Sequence, residues 1–366
     1  MKTTLITYVL SLIMVLSVIP GVLAADIGTG ITPIITPEQF KPLVWMCDNR
    51  VVLDDATEPG RISDDGQKLV ERFNNYAFEG EQVQWMTLAM DKNKIDQNID
   101  VYGTIGSSQG AGNDIEVNCQ RVGYQGEKVF KACNARIQQE NVTWNPDTMA
   151  FFECTFTVET ADSMYGEYWL TVEAQDNDGN MGTMAENEYW FFNPVIALSI
   201  DGDMTFDNVR PGTSSYSSTL LIGNDADQGS GVMMDMFISG TDFYDSSSSG
   251  ARCPNTNQLS LSAFRYFATN GAYSTSNDLQ EDAVDGDRNR DVEGYVNIDY
   301  GIGFKNPDPF YKNMEILQQA KIAPPYYFAN LLAPGAEMAL TFKLDLPEPC
   351  NGNFDTGSIY FWGEAI

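Results

Sequence analysis

No histidine occurs anywhere in the 366 residues. That absence removes Ser-His-Asp and Cys-His nucleophilic machinery and every imidazole-ligated metal site. Carboxylate, lysine, tyrosine and thiol chemistry remain open. Positive charge is scarce as well: 21 basic residues face 51 acidic ones, for a net charge of −30. Nucleic acid is excluded as a partner, because its binding needs a basic footprint. Anionic lipid is disfavoured for the same reason. Such an acidic chain is soluble and salt-tolerant, and its surface can also collect divalent cations. Helical periodicity is nearly missing. Only Gly66–Asn75 places apolar residues, Leu69, Val70 and Phe73, at the spacing of a short helix.

Long apolar runs are missing too, except one at the start. Lys2 precedes a run from Leu5 to Ile19, and Pro20-Gly21-Val22-Leu23-Ala24 follows. A basic residue, an apolar stretch and small residues before a cut form a secretory signal over residues 1–24. The mature chain is then expected to begin at Ala25, with no transmembrane segment, and to be secreted or held at the cell surface. The six cysteines lack any CxxC spacing. An even count in an exported chain predicts three disulfides. Cys253 and Cys350 stand alone in the second half and should pair, worth about 4–5 kcal/mol in the chain-entropy description. The first four cysteines allow three pairings. Spacing favours Cys119 with Cys133 and Cys47 with Cys154.

What the chain does contain is alternation. Glu81–Met90 is apolar on both faces around Trp85, as expected of a central strand with a covering segment on its outer side. Strands are expected at Ile99–Ile105, Ile115–Val122, Val129–Ile137 and Met149–Val158. Tyr165–Pro194 then reads as a hairpin around Asp176-Asn177-Asp178-Gly179-Asn180, stopping at Asn193-Pro194. That stop is expected to be a hinge. After it, Met338, Leu340, Phe342, Leu344 and Leu346 alternate most regularly of all. The fold class is all-β: two tandem β-sandwiches with one short helix. The expected organisation is a Pro-containing arm at 25–40, an Ig-like sandwich at 41–193 and a jelly-roll or Ig-like sandwich at 194–366.

The run Gly166-Glu167-Tyr168-Trp169-Leu170-Thr171-Val172-Glu173-Ala174-Gln175-Asp176, with Asp178-Gly179-Asn180 after it, resembles the closing hairpin of Ig-like and cadherin-like modules of prokaryotic cell-surface proteins, with an archaeal source as the expectation. The resemblance covers about twenty residues and implies that Tyr168 is a core tyrosine of the penultimate strand. The second half is loosely similar to the β-sandwiches of surface-layer and camelysin-type fibre subunits, through the Pro211-Gly212 and Pro334-Gly335 strand leads and the Asn224-Asp225 turn. It implies an extracellular structural role and no binding residues.

Candidate sites are few. Asp285, Asp287, Asn289, Asp291 and Glu293 alternate oxygen ligands as a Ca²⁺ loop does, yet Arg290 and Val296 stand where an EF-hand needs Gly and Glu. Asp176 and Asp178 offer a second, weaker cation site, better read as a plain turn. No cofactor is required, and structural Ca²⁺ is the one that fits. Asn141-Val142-Thr143 is an N-glycosylation sequon. Trp190 and Trp362, near strand ends, are candidates for a carbohydrate platform. No catalytic constellation emerges, so a non-enzymatic subunit of a surface layer, filament or adhesive coat is expected. Its partners would be further copies or other surface proteins, reached through the arm Asp26–Phe40 by strand addition. The alternative is a secreted module that binds carbohydrate or a host surface.

Overall fold

The computed structural model describes residues 39–366 apart from 48–50, 54–71, 73, 96–98, 111, 124–128, 130–132, 134–141, 185–187, 248, 278–289, 302–314 and 324–325. The signal segment, the arm up to residue 38, most of the Gly66–Asn75 helix and Asn141 of the sequon lie outside the described residues. Among the described residues, no helix is long and apolar enough to cross a membrane.

Ten strands of the first half form one curled sheet. Its order is Leu43–Met46, Gln82–Met90, Met149–Thr157, Ile115–Val122, Asp100–Gly106, Gly166–Gln175, Glu188–Phe192 and Tyr76–Ala77. Val51–Leu53 joins the second of these and Met181–Thr183 the sixth. The curl has a definite corner. Residues Ile115–Asn118 pair with the Asp100–Gly106 strand, whereas Cys119–Val122 pair with Met149–Thr157. One strand therefore passes from one layer to the other, and the sheet closes over its own apolar face.

The Trp85 strand explains why this half is so well covered. Val83, Trp85 and Ala89 enter the main core with Phe152, Phe156, Leu170, Val172 and Trp190. On its opposite face Leu88 is buried with Met149, Phe151, Val129 and Cys133, and Trp144 stacks on Phe151 at 5.2 Å. Both faces are thus apolar because both are packed. The ring of Trp85 needs a gap in the facing strand. A Cβ at Gly103 would lie 2.7 Å from Trp85 Cζ2. The covering segment is not the strand expected at Val129–Ile137: Cys133 is helical and Val129 is not in a strand.

The first four cysteines pair differently from the expectation. Cys47 is joined to Cys133 and Cys119 to Cys154, while Cys253 is joined to Cys350. The reason is the two-fold alternation of strands. Trp85 pairs with Cys154 and faces the main core, whereas the backbone of Cys47 bonds Met86, the next residue along. Cys47 and Cys154 thus belong to opposite faces of one sheet and cannot meet. Cys119 instead lies directly across from Cys154 at the corner, and Cys47 meets Cys133 in the outer cluster.

The second half packs two sheets. One runs Leu198–Asp201, Leu220–Asn224, Glu337–Asp345, Phe264–Asn270, Tyr273–Ser274, with Ser214–Tyr216 added to the third and Val296–Asn297 to the fourth. The other centres on Met234–Gly240, flanked by Ile359–Ala365, Asp299–Tyr300 and Leu331–Leu332. Met338, Leu340, Phe342 and Leu344 face Met234, Met236 and Ile238 across one apolar core. Each such side chain, fully buried, stabilises by roughly 1.5–3 kcal/mol.

The expected hinge is a pinned corner. Asn193 is buried with φ of 50°. Its side-chain amide donates to the carbonyls of Glu159 and Met164, and its backbone N–H donates to Ala77. Across the seam, Tyr76 and Phe191 are members of the second core, and the Tyr76 hydroxyl donates to the Ile366 carbonyl. Asp227 accepts from both the Tyr165 hydroxyl, at 2.9 Å, and the Val195 N–H, at 2.8 Å. Asn74 donates to Gly231 O and Tyr189 to Gly229 O. Behind Tyr76, a buried Arg72–Glu81 ion pair lays its guanidinium over the Tyr76 and Phe78 rings. Residues from Phe40 to Ile366 form one compact unit.

Candidate ligand-binding cleft

Among the described residues the outer face of the seven-stranded sheet is left uncovered, and a cleft of about 440 Å³ lies on it. Its floor comes from alternation on two adjacent strands, with Thr219 just ahead of a third. Where Met338, Leu340 and Phe342 point to the core, Ala339 and Thr341 point out, opposite Thr269 and Phe267. Thr219 completes the floor, and Glu293 and Tyr295 form a wall. The Phe267 and Tyr295 rings meet at 5.6 Å with a 48° tilt. Ala339 is the small residue in this row, which is why a hollow exists there.

The wall is fixed by a charged knot. Lys343 Nζ donates to Asp291 Oδ2 and Glu293 Oε2, each at 2.8 Å. Burial pulls this ammonium down, but those bonds outweigh it and hold Lys343 charged above the ordinary lysine range. Desolvation likewise raises Asp291, yet Lys343 and the N–H groups of Tyr295 and Glu293 bring its carboxyl below the usual value. Glu293 is lowered first by Lys343 and then by the Tyr216 hydroxyl, which donates to it at 2.8 Å. Gly294 turns the wall at φ of +90°, where a Cβ would come 2.8 Å from Ser276 Cβ and 3.2 Å from Phe267. Tyr216 and Tyr295 contact each other at 5.7 Å beside the ammonium.

The sequence-predicted residues fare unevenly. Asp285, Asp287 and Asn289 lie outside the described residues. Asp291 and Glu293, the rest of that run, are committed to Lys343, so the described part is an ion-paired wall. Asp176 caps its own turn. Oδ1 accepts from the Asp178 and Asn180 N–H groups, and Oδ2 accepts from the Asn180 amide. Desolvation pushes Asp176 up, and these donors more than reverse it. Among the described residues no three acidic or thiol groups gather as a metal site needs.

Trp190 is 2 % exposed and belongs to the first core, so it cannot be a carbohydrate platform. Trp362 is half-buried on Ile359–Ala365, with its Nε1 donating to Ser239 at 3.3 Å. Tyr168 packs partly buried against the first core, 5.3 Å from Phe192. Phe267, Tyr295 and the threonines of the cleft were not singled out from sequence. Their signal was present: an aromatic on the outward phase of a strand opposite a small residue.

One further buried group stands apart from the cleft. Asp235 is 2 % exposed and accepts from the Asn330 amide at 2.7 Å. Burial pushes its carboxyl well above the carboxylate range, despite that bond, with Glu315 and Glu364 adding to the rise.

Compared with known proteins, the chain matches no family model and no curated relative. Among solved structures it is similar to the C-terminal domain of the Streptococcus agalactiae AgI/II polypeptide BspA, at 8% identity and a TM-score of 0.29, over 89% of this chain and 96% of that one. A DUF4785 family protein from Legionella pneumophila gives 6% identity and a TM-score of 0.20, over 80% and 46%. The collagen adhesin of S. aureus gives 10% and 0.18, over 80% and 84%. These scores are low, and the functional reading rests on the residues of this chain.

Proposed function

We propose that this is an exported, non-enzymatic cell-surface protein, a structural or adhesive subunit. The observation that carries the reading is the joint. Two β-sandwiches, stapled by three disulfides, are fused through Tyr76, Phe191 and a pinned Asn193 into one unit. Such a body transmits tension from one end to the other without a flexible link. Disulfides of this kind persist in oxidising surroundings, which agrees with the secretory signal read at residues 1–24.

The cleft supports binding over catalysis. Hydrolysis of a glycosidic bond by carboxylates needs two of them flanking the bond. Among the described residues one carboxylate, Glu293, lines the cleft, and Lys343 holds it ionised. The arm and the sequon are further parts of the proposal, each with its own test. Protease shaving of intact producing cells, followed by non-reducing peptide mapping, tests the reading. Surface-released peptides carrying the Cys47–Cys133, Cys119–Cys154 and Cys253–Cys350 links are expected. Recovery only from the cytoplasmic fraction, with free thiols, would overturn it. Electron microscopy of the purified mature protein then separates the two forms: filaments or lattices for a structural subunit, dispersed particles for an adhesin.

A further inference from the structure

We infer that the cleft on the outer face of the seven-stranded sheet is a subsite for a neutral pyranose sugar. The inference deepens the adhesive reading by naming the ligand class. Four observations lead to it. First, the floor strands Glu337–Asp345 and Phe264–Asn270 are interior to their sheet, each paired on both sides. Their backbone bonds are used within the sheet, so an extended peptide finds no edge to add to. Recognition must come from side chains.

Second, those side chains are two tilted rings, Phe267 and Tyr295, with the hydroxyls of Thr219, Thr269 and Thr341 and one carboxylate. Rings cover the C–H face of a pyranose, and hydroxyls and a carboxylate accept or donate to its equatorial groups. Third, the charge disfavours ionic ligands. Glu293 is an acceptor whose negative charge Lys343 shares, and the chain carries −30 overall. Anionic sugars and phosphates meet repulsion, and a cation finds its carboxylate already paired. Fourth, about 440 Å³ lies within the range of roughly 300–1,000 Å³ usual for small-molecule sites. The fixed wall means that little ordering is lost on binding, because Lys343, Asp291 and Gly294 hold Glu293 and Tyr295 in place beforehand.

The test uses the purified mature chain and saturation-transfer difference NMR with methyl β-D-glucopyranoside, methyl β-D-galactopyranoside and, as the anionic control, methyl β-D-glucuronide. At least one neutral glycoside should receive saturation, and the glucuronide should not. Phe267→Ala and Tyr295→Ala should each weaken binding roughly tenfold, the size expected for one lost stacking ring. Ala339→Trp fills the floor and should abolish the signal while circular dichroism and the melting midpoint stay in place. No transfer to either neutral glycoside, or transfer unchanged in Ala339→Trp, would overturn the inference. Because purified protein is used, that failure leaves surface location to the shaving experiment, which can fail independently.

Discussion

The two sandwiches bury their central strands alike but treat their outer faces differently. In the first, the face behind Leu88 is sealed by Val129, Cys133 and Trp144, and two disulfides lock the cover and the corner. In the second, the outer face of the seven-stranded sheet carries Ala339, Thr341 and Phe267 into the open. A covered face adds stability. An uncovered one, with a wall fixed by an ion-pair knot, is where contact with another molecule can occur. On the proposed reading, the first half supports and the second half recognises.

The seam is where this contrast is easiest to break. Tyr76→Ala removes a ring from the second core and the hydrogen bond to Ile366, and should destabilise by about 3–5 kcal/mol, read by urea unfolding. A loss below 1 kcal/mol would mean that the halves do not depend on one another.

The next effect is pH-dependent and belongs to the second half. Asp235 has a folded-state pKa above its unfolded value, so the folded state holds more protons in the interval between the two. Its stabilising contribution is complete below the unfolded value and is lost as pH rises through the folded one. Melting midpoints should therefore fall as pH rises above the ordinary carboxylate range, and Asp235→Asn, which keeps an acceptor for Asn330, should flatten the fall. An identical slope in the variant would show that Asp235 is not the group responsible.

Smaller still is the knot itself. Lys343→Met leaves Asp291 and Glu293 facing each other at a partly exposed site and should lower the melting midpoint slightly. It should loosen the wall, seen as faster amide exchange at Gly294 and Tyr295. Smallest is the effect of chelator. With Asp176 capping a turn and Asp291 and Glu293 paired to Lys343, the melting midpoint should not move on adding EDTA. A drop of several degrees would restore the calcium reading through the residues at 285–289.

Much of the scaffold was legible in sequence because strand physics is local. Met338 to Leu344 alternate because every second side chain enters the core, and the two apolar faces of the Trp85 strand signalled its cover. Cys253 with Cys350 was legible as the one pair of the second half, but the pairing of the first four cysteines was not. It depends on which face each cysteine takes, and that follows from a register between strands far apart in the chain. How tightly the joint at Asn193-Pro194 is held was not legible for a similar reason: its partners, Glu159, Met164 and Ala77, are distant in sequence. The cleft was hidden because Ala339 and three threonines are unremarked residues until two strands, Thr219 and the Glu293–Tyr295 loop come together. Of its lining only Glu293 had been noticed, and for metal binding.

Differential scanning calorimetry of the mature chain tests the fused unit most directly. The shared core predicts one transition, with calorimetric and van't Hoff enthalpies equal, and a single shifted transition in Tyr76→Ala. Two separated transitions in the unaltered protein, only one of them moved by Tyr76→Ala, would contradict it.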